Sequence, residues 1–222
     1  MAAPKLVIFD CDGVLVDSEP LANRKLIEHA AALGLQLDPD ATLREFNGAA
    51  LRQRVATLAV RHGWTPPVDF VEQVDAAIDA AVGEAEAIPG VESVLDQLAR
   101  GDVPVCLASN SRHAEIQLRL EHIGFVGRFL RCFSAAEDVP NSKPAPDIYL
   151  YAAQTMNVAP TDCVVIEDSE NGIRAAVAAG MQVLGFARFT PAERVHALGA
   201  TAFSDMSELP ALLAGRTDSA SA

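Results

Sequence analysis

Two aspartates one residue apart, Asp10 and Asp12, are the residues of this sequence best suited to chemistry. They follow the short apolar run Leu6–Phe9, which predicts a buried strand. Because side chains alternate along a strand, both carboxylates point to the same side, where they repel each other unless a cation lies between them. Mg²⁺ prefers oxygen ligands of this kind. Gly13 then allows a sharp turn and a close approach of the backbone to a ligand.

Two later apolar runs also end in polar side chains. Val103–Ala108 is followed by Ser109, and Cys163–Ile166 is followed by Glu167 and Asp168. Runs that are apolar throughout are typical of parallel strands covered on both faces. The Ser109 hydroxyl and the start of the next helix could bind an anion, and the two carboxylates could bind a cation.

A single lysine, Lys143, lies between these two runs, in the segment Ser-Lys-Pro-Ala-Pro-Asp of residues 142–147. The prolines that follow it, Pro144 and Pro146, stiffen the backbone around it. A lysine held in this way supplies a fixed positive charge for an anionic ligand. This matters because the overall acidity of the chain would otherwise repel a phosphate group.

Helical patterns separate the apolar runs. The sequence predicts helices over Arg112–Ile123, Ile148–Met156 and Asn171–Ala179, and a further strand over Gln182–Phe186. Strands that alternate with helices predict an α/β fold with a doubly wound parallel sheet. Ligands of such sheets bind beyond the carboxyl ends of the strands, so we expect the polar residues after each strand to converge on one crevice. The predicted apolar positions of the first helix are Ile116, Leu118, Leu120 and Ile123.

The order Asp-x-Asp, Ser, Lys and Glu-Asp resembles the four motifs of the haloacid dehalogenase superfamily of phosphotransferases. Residues 143–147 (Lys-Pro-x-Pro-Asp) and 167–172 (Glu-Asp-Ser-x-x-Gly) also match longer phrases of that superfamily. The segment Phe9–Glu19 is similar to its sugar-phosphate phosphatases, 6-phosphogluconate phosphatase among them. The resemblance runs from Lys5 to about Leu213. It implies a Rossmann-like core and a Mg²⁺-dependent phosphomonoester hydrolase.

The resemblance also implies a role for each motif residue. Asp10 would attack phosphorus and form an aspartyl-phosphate, and Asp12 would act as acid and then base. The implied catalytic residues are Asp10, Asp12, Ser109 and Lys143. The implied metal ligands are the Asp10 carboxylate, the Asp12 backbone carbonyl, Asp168 and, through water, Glu167. The implied phosphate ligands are Ser109, Asn110, Lys143 and the backbone N–H groups of Cys11 and Asp12.

Residues 19–86 are predicted to form a helical unit inserted after the first motif. Its helices are predicted over Pro20–Leu33, Pro39–Phe46, Leu51–Arg61 and Val68–Val82. The insertion resembles the helical-bundle cap (C1 type) of subfamily I in this superfamily, so we expect a core domain of residues 1–18 and 87–222 and a cap domain of residues 19–86. Such caps close over the site and exclude water. The predicted substrate contacts from the cap are Asn47, Arg52 and Arg24.

A phosphosugar mutase of the β-phosphoglucomutase type is the first alternative. That mutase carries a His where this chain has Ala22, and a Lys and an Arg where it has Asn47 and Leu51. These departures favour a phosphatase that acts on a small sugar phosphate or a similar metabolite.

A phospho-accepting signalling module, or a non-catalytic binding protein, is the second alternative. In signalling receiver domains the lysine follows the acidic cluster, whereas Lys143 precedes Glu167 and Asp168. A binding protein of the same fold would have lost one of the reacting groups, and none is missing from the four motifs. Both alternatives are therefore disfavoured.

The composition is that of an acidic globular protein, with 222 residues, half of them apolar, and a net charge of −13. The negative charge and the lack of a basic block argue against a nucleic-acid or anionic-membrane partner. No signal peptide and no membrane span are predicted. We expect a cytoplasmic enzyme, a monomer or weak dimer, whose partner is a small phosphorylated metabolite. Free buried thiols in a reducing compartment are predicted for Cys11, Cys106, Cys132 and Cys163.

Overall fold

The computed structural model of the chain describes residues 4–46, 49 and 51–215. The chain divides into two compact units, one with the residues up to Val16 and from Ala87 onward, the other with Asp17–Glu86. The first predicted domain boundary, after residue 18, lies two residues beyond this division, and the second, after residue 86, coincides with it.

Strands and α-helices alternate through most of the described residues. The strands are β1 (Leu6–Phe9), β2 (Val16–Asp17), β3 (Glu86–Ala87), β4 (Val105–Ser109), β5 (Cys132–Ser134), β6 (Cys163–Glu167), β7 (Gln182–Phe186) and β8 (Thr201–Phe203). The helices are α1 (Glu19–Ala32), α2 (Pro39–Phe46), α3 (Leu51–His62), α4 (Phe70–Ala80), α5 (Val91–Arg100), α6 (His113–His122), α7 (Asp147–Thr155), α8 (Glu170–Ala178), α9 (Ala192–Ala197) and α10 (Leu209–Leu213). Within the described residues, no helix is both long enough and apolar enough to cross a membrane.

The larger unit is built on a six-stranded parallel sheet with the order β5-β4-β1-β6-β7-β8. Phe9 at the end of β1 pairs with Leu107 of β4 and with Ile166 of β6, so these three strands end close to the same level. The direction of strand order reverses between β1 and β6, which is where doubly wound sheets bind their ligands. The predicted doubly wound α/β fold is confirmed.

The helices α6, α7 and α8 begin and end within one residue of their predicted bounds. The predicted apolar face of α6 was wrong at one position. Leu118 is 45% exposed, and Arg119 is buried beside Ile116 and Leu120. Successive helical residues are about 100° apart, so Leu118, two positions after Ile116, lies on the opposite face. The buried charge of Arg119 therefore needs a partner.

The smaller unit contains α1 to α4 packed around an apolar core. Trp64 meets Phe70 edge-on with ring centroids 5.0 Å apart. The helix α4 begins at Phe70, not at Val68 as predicted, because the N–H of Phe70 closes a turn with the carbonyl of Pro67. Val68 is consequently fully exposed. The most buried residues of this core are Leu26, Ala30, Leu58, Phe70 and Val74.

Candidate active site

Asp10 lies at the carboxyl end of the central strand. Its N–H donates to the carbonyl of Ile166 at 3.0 Å, which extends the contact between β1 and β6 by one residue. The side chain of Asp10 is buried, as is that of Cys11. A tight turn follows, in which the N–H of Leu15 donates to the carbonyl of Cys11 at 2.8 Å. Asp10 therefore has a carboxylate at the ligand-binding end of the sheet and little water around it.

Lys143 joins the ends of three strands through its ammonium group. Its Nζ donates to Asp10 Oδ1 at 2.7 Å, to Glu167 Oε1 at 2.8 Å and to the carbonyl of Ala108 at 2.9 Å. All three partners are at or next to the carboxyl ends of β1, β6 and β4. Lys143 is buried, so these bonds form in a medium of low polarity where charge pairs are strong. Its orientation is fixed by three acceptors.

Glu167 is fully buried, and protein donors occupy both of its carboxylate oxygens. Oε1 accepts from Lys143 and from the Tyr149 hydroxyl, the latter at 2.9 Å. Oε2 accepts from the N–H groups of Asp168 and Ser169 and from the Ser169 hydroxyl, each at 3.0 Å. Gly172 leaves room for this arrangement, because a Cβ there would lie 1.6 Å from Oε1. Glu167 is thus built to anchor Lys143.

Asp10, Glu167 and Asp168 form an acidic cluster that could hold a metal ion. Each offers a carboxylate oxygen, and these oxygens lie within 4.8 Å of one another. Burial raises the pKa of Asp10 to about 7, against the opposing effect of Lys143. Burial, together with the charges of Glu167 and Asp10, raises the pKa of Asp168 well above its ordinary value. Ionised carboxylates are thus unfavourable here without a further cation.

The charge and chemistry of this cluster fit a divalent cation. Fully ionised, the cluster would carry three negative charges against the single ammonium of Lys143, which pairs with Asp10 and Glu167. Although burial lowers the pKa of Lys143, the charges of Asp10 and Glu167 outweigh it, so the pKa stays well above its ordinary value and the lysine is charged. The donors are all oxygens, which suits a hard cation such as Mg²⁺. Because Glu167 already accepts five hydrogen bonds, Asp10 and Asp168 are the carboxylates best able to contact an ion directly.

Gly13 allows the turn after β1 to approach Asp168. Its φ of +78° lies in the left-handed region, and a Cβ at this position would lie 2.0 Å from Asp168 Oδ2. Any side chain here would therefore strain the backbone and displace a carboxylate of the acidic cluster.

Asp12 has two partners from the segment after β4. Its Oδ2 accepts from the Ser111 hydroxyl at 3.3 Å. Its Oδ1 lies 3.1 Å from Nε of Arg119, which projects from α6. The Asp12 side chain is one-third exposed, at 33%, in contrast to its arginine partner at 7%. The carboxylate is consequently held in position while part of it remains open to solvent.

Ser109 and Asn110 shape the loop between β4 and α6. Ser109 is buried, and its hydroxyl accepts from the N–H of Ser111 at 3.1 Å. Asn110 Oδ1 accepts from the N–H of Lys143 at 3.0 Å, so this side chain ties the lysine segment to the loop. Both residues, which sequence reasoning assigned to phosphate binding, thus lie at the carboxyl end of β4, the strand next to β1.

A family model for haloacid dehalogenase-like hydrolases matches residues 4–180, a range that includes all four motifs. The chain belongs to the haloacid dehalogenase-like hydrolases. The 6-phosphogluconate phosphatase of Escherichia coli is 29% identical to it over 218 residues, which are 97% of each chain. The fructose-1-phosphate phosphatase of the same organism is 32% identical over 179 residues, which are 80% of this chain and 94% of that one.

A solved structure supports the same relationship for this hydrolase. A hydrolase of the family from Deinococcus radiodurans R1, with bound phosphate and sodium, superposes with a TM-score of 0.83. The two sequences are 32% identical, and the match covers 97% of each chain. The likeness extends through both units of the hydrolase, not only through the sheet.

The two arginines predicted to contact substrate from the helical unit are paired with acidic neighbours. Arg24 pairs with Glu84, and Arg52 pairs with Glu72 at 3.0 Å on the surface. Asn47 lies outside the described residues. These ion pairs give no sign of a preformed anion site at Arg24 or Arg52.

Sequence reasoning missed two buried arginines. Arg54 donates to both carboxylate oxygens of Glu19, at 2.8 and 2.6 Å, inside the helical unit. Arg119 lies against Asp12, as described above. Each stands at helical spacing from apolar residues, Arg54 before Val55 and Leu58 and Arg119 after Ile116. A charge within an apolar stripe is the signal that could have identified both.

Proposed function

We propose that the hydrolase is a Mg²⁺-dependent phosphatase of small sugar phosphates that works through an aspartyl-phosphate on Asp10. The observation that carries this proposal is the contact of the buried Asp10 carboxylate with Lys143 beside the acidic cluster. Lys143 fixes this side chain at the ligand-binding end of the sheet and favours its ionised, nucleophilic form against the opposing effect of burial on its pKa. The sugar-phosphate phosphatases among its relatives support the substrate class.

In the first step, an oxygen of Asp10 attacks phosphorus while Lys143 neutralises charge on the phosphoryl oxygens. Asp12 gives its proton to the leaving oxygen, which departs as an alcohol. In the second step, Asp12 takes a proton from water, and the water oxygen attacks phosphorus. The bond to Asp10 breaks and inorganic phosphate leaves. Ser109 and the N–H groups of Cys11 and Asp12 orient the phosphoryl group.

Asp10, Asp168 and the backbone carbonyl of Asp12 would hold the Mg²⁺, with Glu167 contributing through water. When bound, the ion supplies positive charge that offsets the clustered carboxylates and polarises the phosphoryl group. The positive charges of Lys143 and of the bound ion would together allow an acidic protein to bind an anionic substrate.

The helical unit is proposed to act as a cap that selects the substrate and excludes water. It is inserted directly after the Asp10–Gly13 turn, and β2 and β3, where the chain passes between the units, pair with each other. The free thiols of the described chain support a reducing compartment such as the cytoplasm, because none is joined in a disulfide.

Phosphate release from a panel of substrates tests the proposed function. The panel contains 6-phosphogluconate, fructose 1-phosphate, phosphoglycolate and a nucleoside monophosphate, each with Mg²⁺ and with EDTA. We expect release from a sugar phosphate with Mg²⁺ and none with EDTA. Conversion of β-glucose 1-phosphate to glucose 6-phosphate would instead indicate a mutase, and no turnover of any panel member would contradict the proposal.

Mg²⁺ is expected to stabilise the protein more at pH 8 than at pH 5.5. The raised pKa values of Asp10 and Asp168 mean that the folded state holds protons that the unfolded state has lost above about pH 4. Stability without metal therefore falls as the pH rises toward about 7, the pKa of Asp10. At pH 5.5 Mg²⁺ must displace the proton of Asp10, whereas at pH 8, above its pKa of about 7, most of this proton is already lost.

Thermal unfolding with Mg²⁺ or with EDTA at the two pH values measures this effect. At a free Mg²⁺ concentration 100 times the Kd, the expected gain is about 2.7 kcal/mol. Asp168→Asn should lose most of the gain at pH 8. A gain that is equal at both pH values, or unaffected by Asp168→Asn, would remove the acidic cluster as the metal site.

Gly13→Ala is expected to lower Mg²⁺ affinity at least tenfold. The added Cβ would displace Asp168 Oδ2, in addition to the backbone strain of about 1 kcal/mol. Gly124→Ala is the matched control, because Gly124 has a similar φ of +74° and no atom within 4 Å of a Cβ. Titration calorimetry with MgCl₂ should show weakened binding only in the first variant, and equal affinity in both would contradict the prediction.

A further inference from the structure

Arg119 is a buried cation to which the mechanism above gives no role. It lies on α6 between Ile116 and Leu120 and is 6% exposed. Removing a guanidinium from water costs several kcal/mol unless an anion compensates it. Arg119 lies in the larger unit, on the helix that follows the loop after β4. The anion that balances its charge is therefore expected near the reacting groups.

Asp12 is the principal partner of Arg119 among the described residues. Arg119 Nε lies 3.1 Å from Asp12 Oδ1, whereas its Nη1 lies 3.9 Å from Glu115 Oε2. The same Glu115 oxygen accepts from the N–H of Arg112 at 3.1 Å, which caps the start of α6. The contact with Asp12 is an ion pair that lacks the alignment of a hydrogen bond. The charge of Arg119 is therefore directed mainly at Asp12.

The two oxygens of Asp12 have different surroundings. Oδ1 is buried against Arg119. Oδ2 accepts from the Ser111 hydroxyl at 3.3 Å, and the side chain as a whole is 33% exposed. A guanidinium has only donors and stays charged at any physiological pH. An oxygen facing it is thus the less favourable place for a proton.

We infer that Arg119 is a positioning residue that directs the carboxyl proton of Asp12 to Oδ2 and holds this oxygen toward the substrate. The inference rests on the proposed function. In the first step, a bond forms between Asp10 and phosphorus, the bond from phosphorus to the leaving oxygen breaks, and the proton on Asp12 Oδ2 moves to that oxygen. In the second step, a water oxygen bonds to phosphorus, the bond to Asp10 breaks, and the water proton returns to Oδ2.

The leaving group separates this role from a merely structural one. The p-nitrophenolate ion leaves without a proton, whereas a sugar alkoxide must be protonated as it leaves. For p-nitrophenyl phosphate, kcat/KM covers the steps up to loss of p-nitrophenolate and should therefore not depend on the proton of Asp12. General-acid catalysis contributes about 10²–10⁴-fold when a proton is needed.

The experiment compares kcat/KM for p-nitrophenyl phosphate with that for the panel sugar phosphate that the wild type hydrolyses fastest. We expect Arg119→Met to lower the sugar-phosphate value about 100-fold and to leave the p-nitrophenyl phosphate value within about threefold of the wild type, since that step needs no acid. Arg119→Lys retains a cation and should recover part of the sugar-phosphate loss. If Arg119→Met does not fold, Arg119→Lys serves as the test in its place.

Arg128→Met is the matched control. Arg128 forms a partly buried ion pair with Asp96 in the same unit, and neither residue belongs to the four motifs. Its loss should leave the ratio of the two kcat/KM values unchanged. Equal losses for both substrates in the Arg119 variants would overturn the inference and leave the proposed function standing. A wild type that hydrolyses neither substrate would overturn the proposed function, and the inference with it.

Discussion

Replacing Asp10 by Asn is expected to lower kcat by about 10⁴-fold or more, because an amide oxygen does not attack phosphorus as a carboxylate does. The fold should survive. Asn has nearly the same size, and at pH 8 its neutral amide removes a buried negative charge from the acidic cluster. Phosphate release in the steady state measures the loss, and thermal unfolding measures the stability.

A covalent intermediate offers a direct check of the same prediction. Wild-type protein mixed with substrate, quenched and reduced with borohydride should carry the mass change of a reduced aspartyl-phosphate at Asp10. The control is Asp162→Asn, which removes an exposed carboxylate paired with Lys5 and should keep full activity. Activity of Asp10→Asn close to that of the wild type would reassign the nucleophile.

Replacing Lys143 by Met is the change with the second largest expected effect. It removes an ammonium that contacts Asp10, Glu167 and the carbonyl of Ala108. Because one partner of a buried charge pair is lost and the other remains, the free energy of unfolding should fall by about 3–5 kcal/mol. We expect kcat/KM to fall by about 10³-fold, since the phosphoryl group loses a fixed positive charge.

The pH dependence of the Lys143 variant distinguishes lost charge from lost folding. Lys143 lowers the pKa of Asp10, so without it that pKa must rise further above about 7. Less of Asp10 is then ionised at neutral pH, and activity should recover in part as the pH increases. Lys5→Met, which breaks an exposed pair with Asp162, is the control and should match the wild type. Activity of Lys143→Met within tenfold of the wild type would contradict the prediction.

The fold of the larger unit could be predicted because its signals are local. Each apolar run has the length of a buried strand, and the helices between them have their own periodicity. The bounds of α6, α7 and α8 were predicted to within one residue. The buried face of α6 was predicted incorrectly at Leu118. Leu118 and Arg119 differ by one position, and a rotation of about 100° decides which of them is buried.

The roles within the site were less predictable than its position. Glu167 was assigned to the metal from its place beside Asp168. The structure adds five donors to its carboxylate, among them the hydroxyls of Tyr149 and Ser169. Nothing in the sequence linked Tyr149, inside α7, to Glu167, because that contact depends on how α7 packs against the sheet. The same holds for Arg119 and Asp12.

By itself, the sequence determined which reactive groups this protein has and that they gather at one end of a parallel sheet. Apolar runs and their polar ends are local patterns, and parallel strands align their ends. Only the tertiary structure decided which oxygen each donor reaches. Lys143 and Asp10 are 133 positions apart, and a hydrogen bond of 2.7 Å between them depends on the packing of the whole unit.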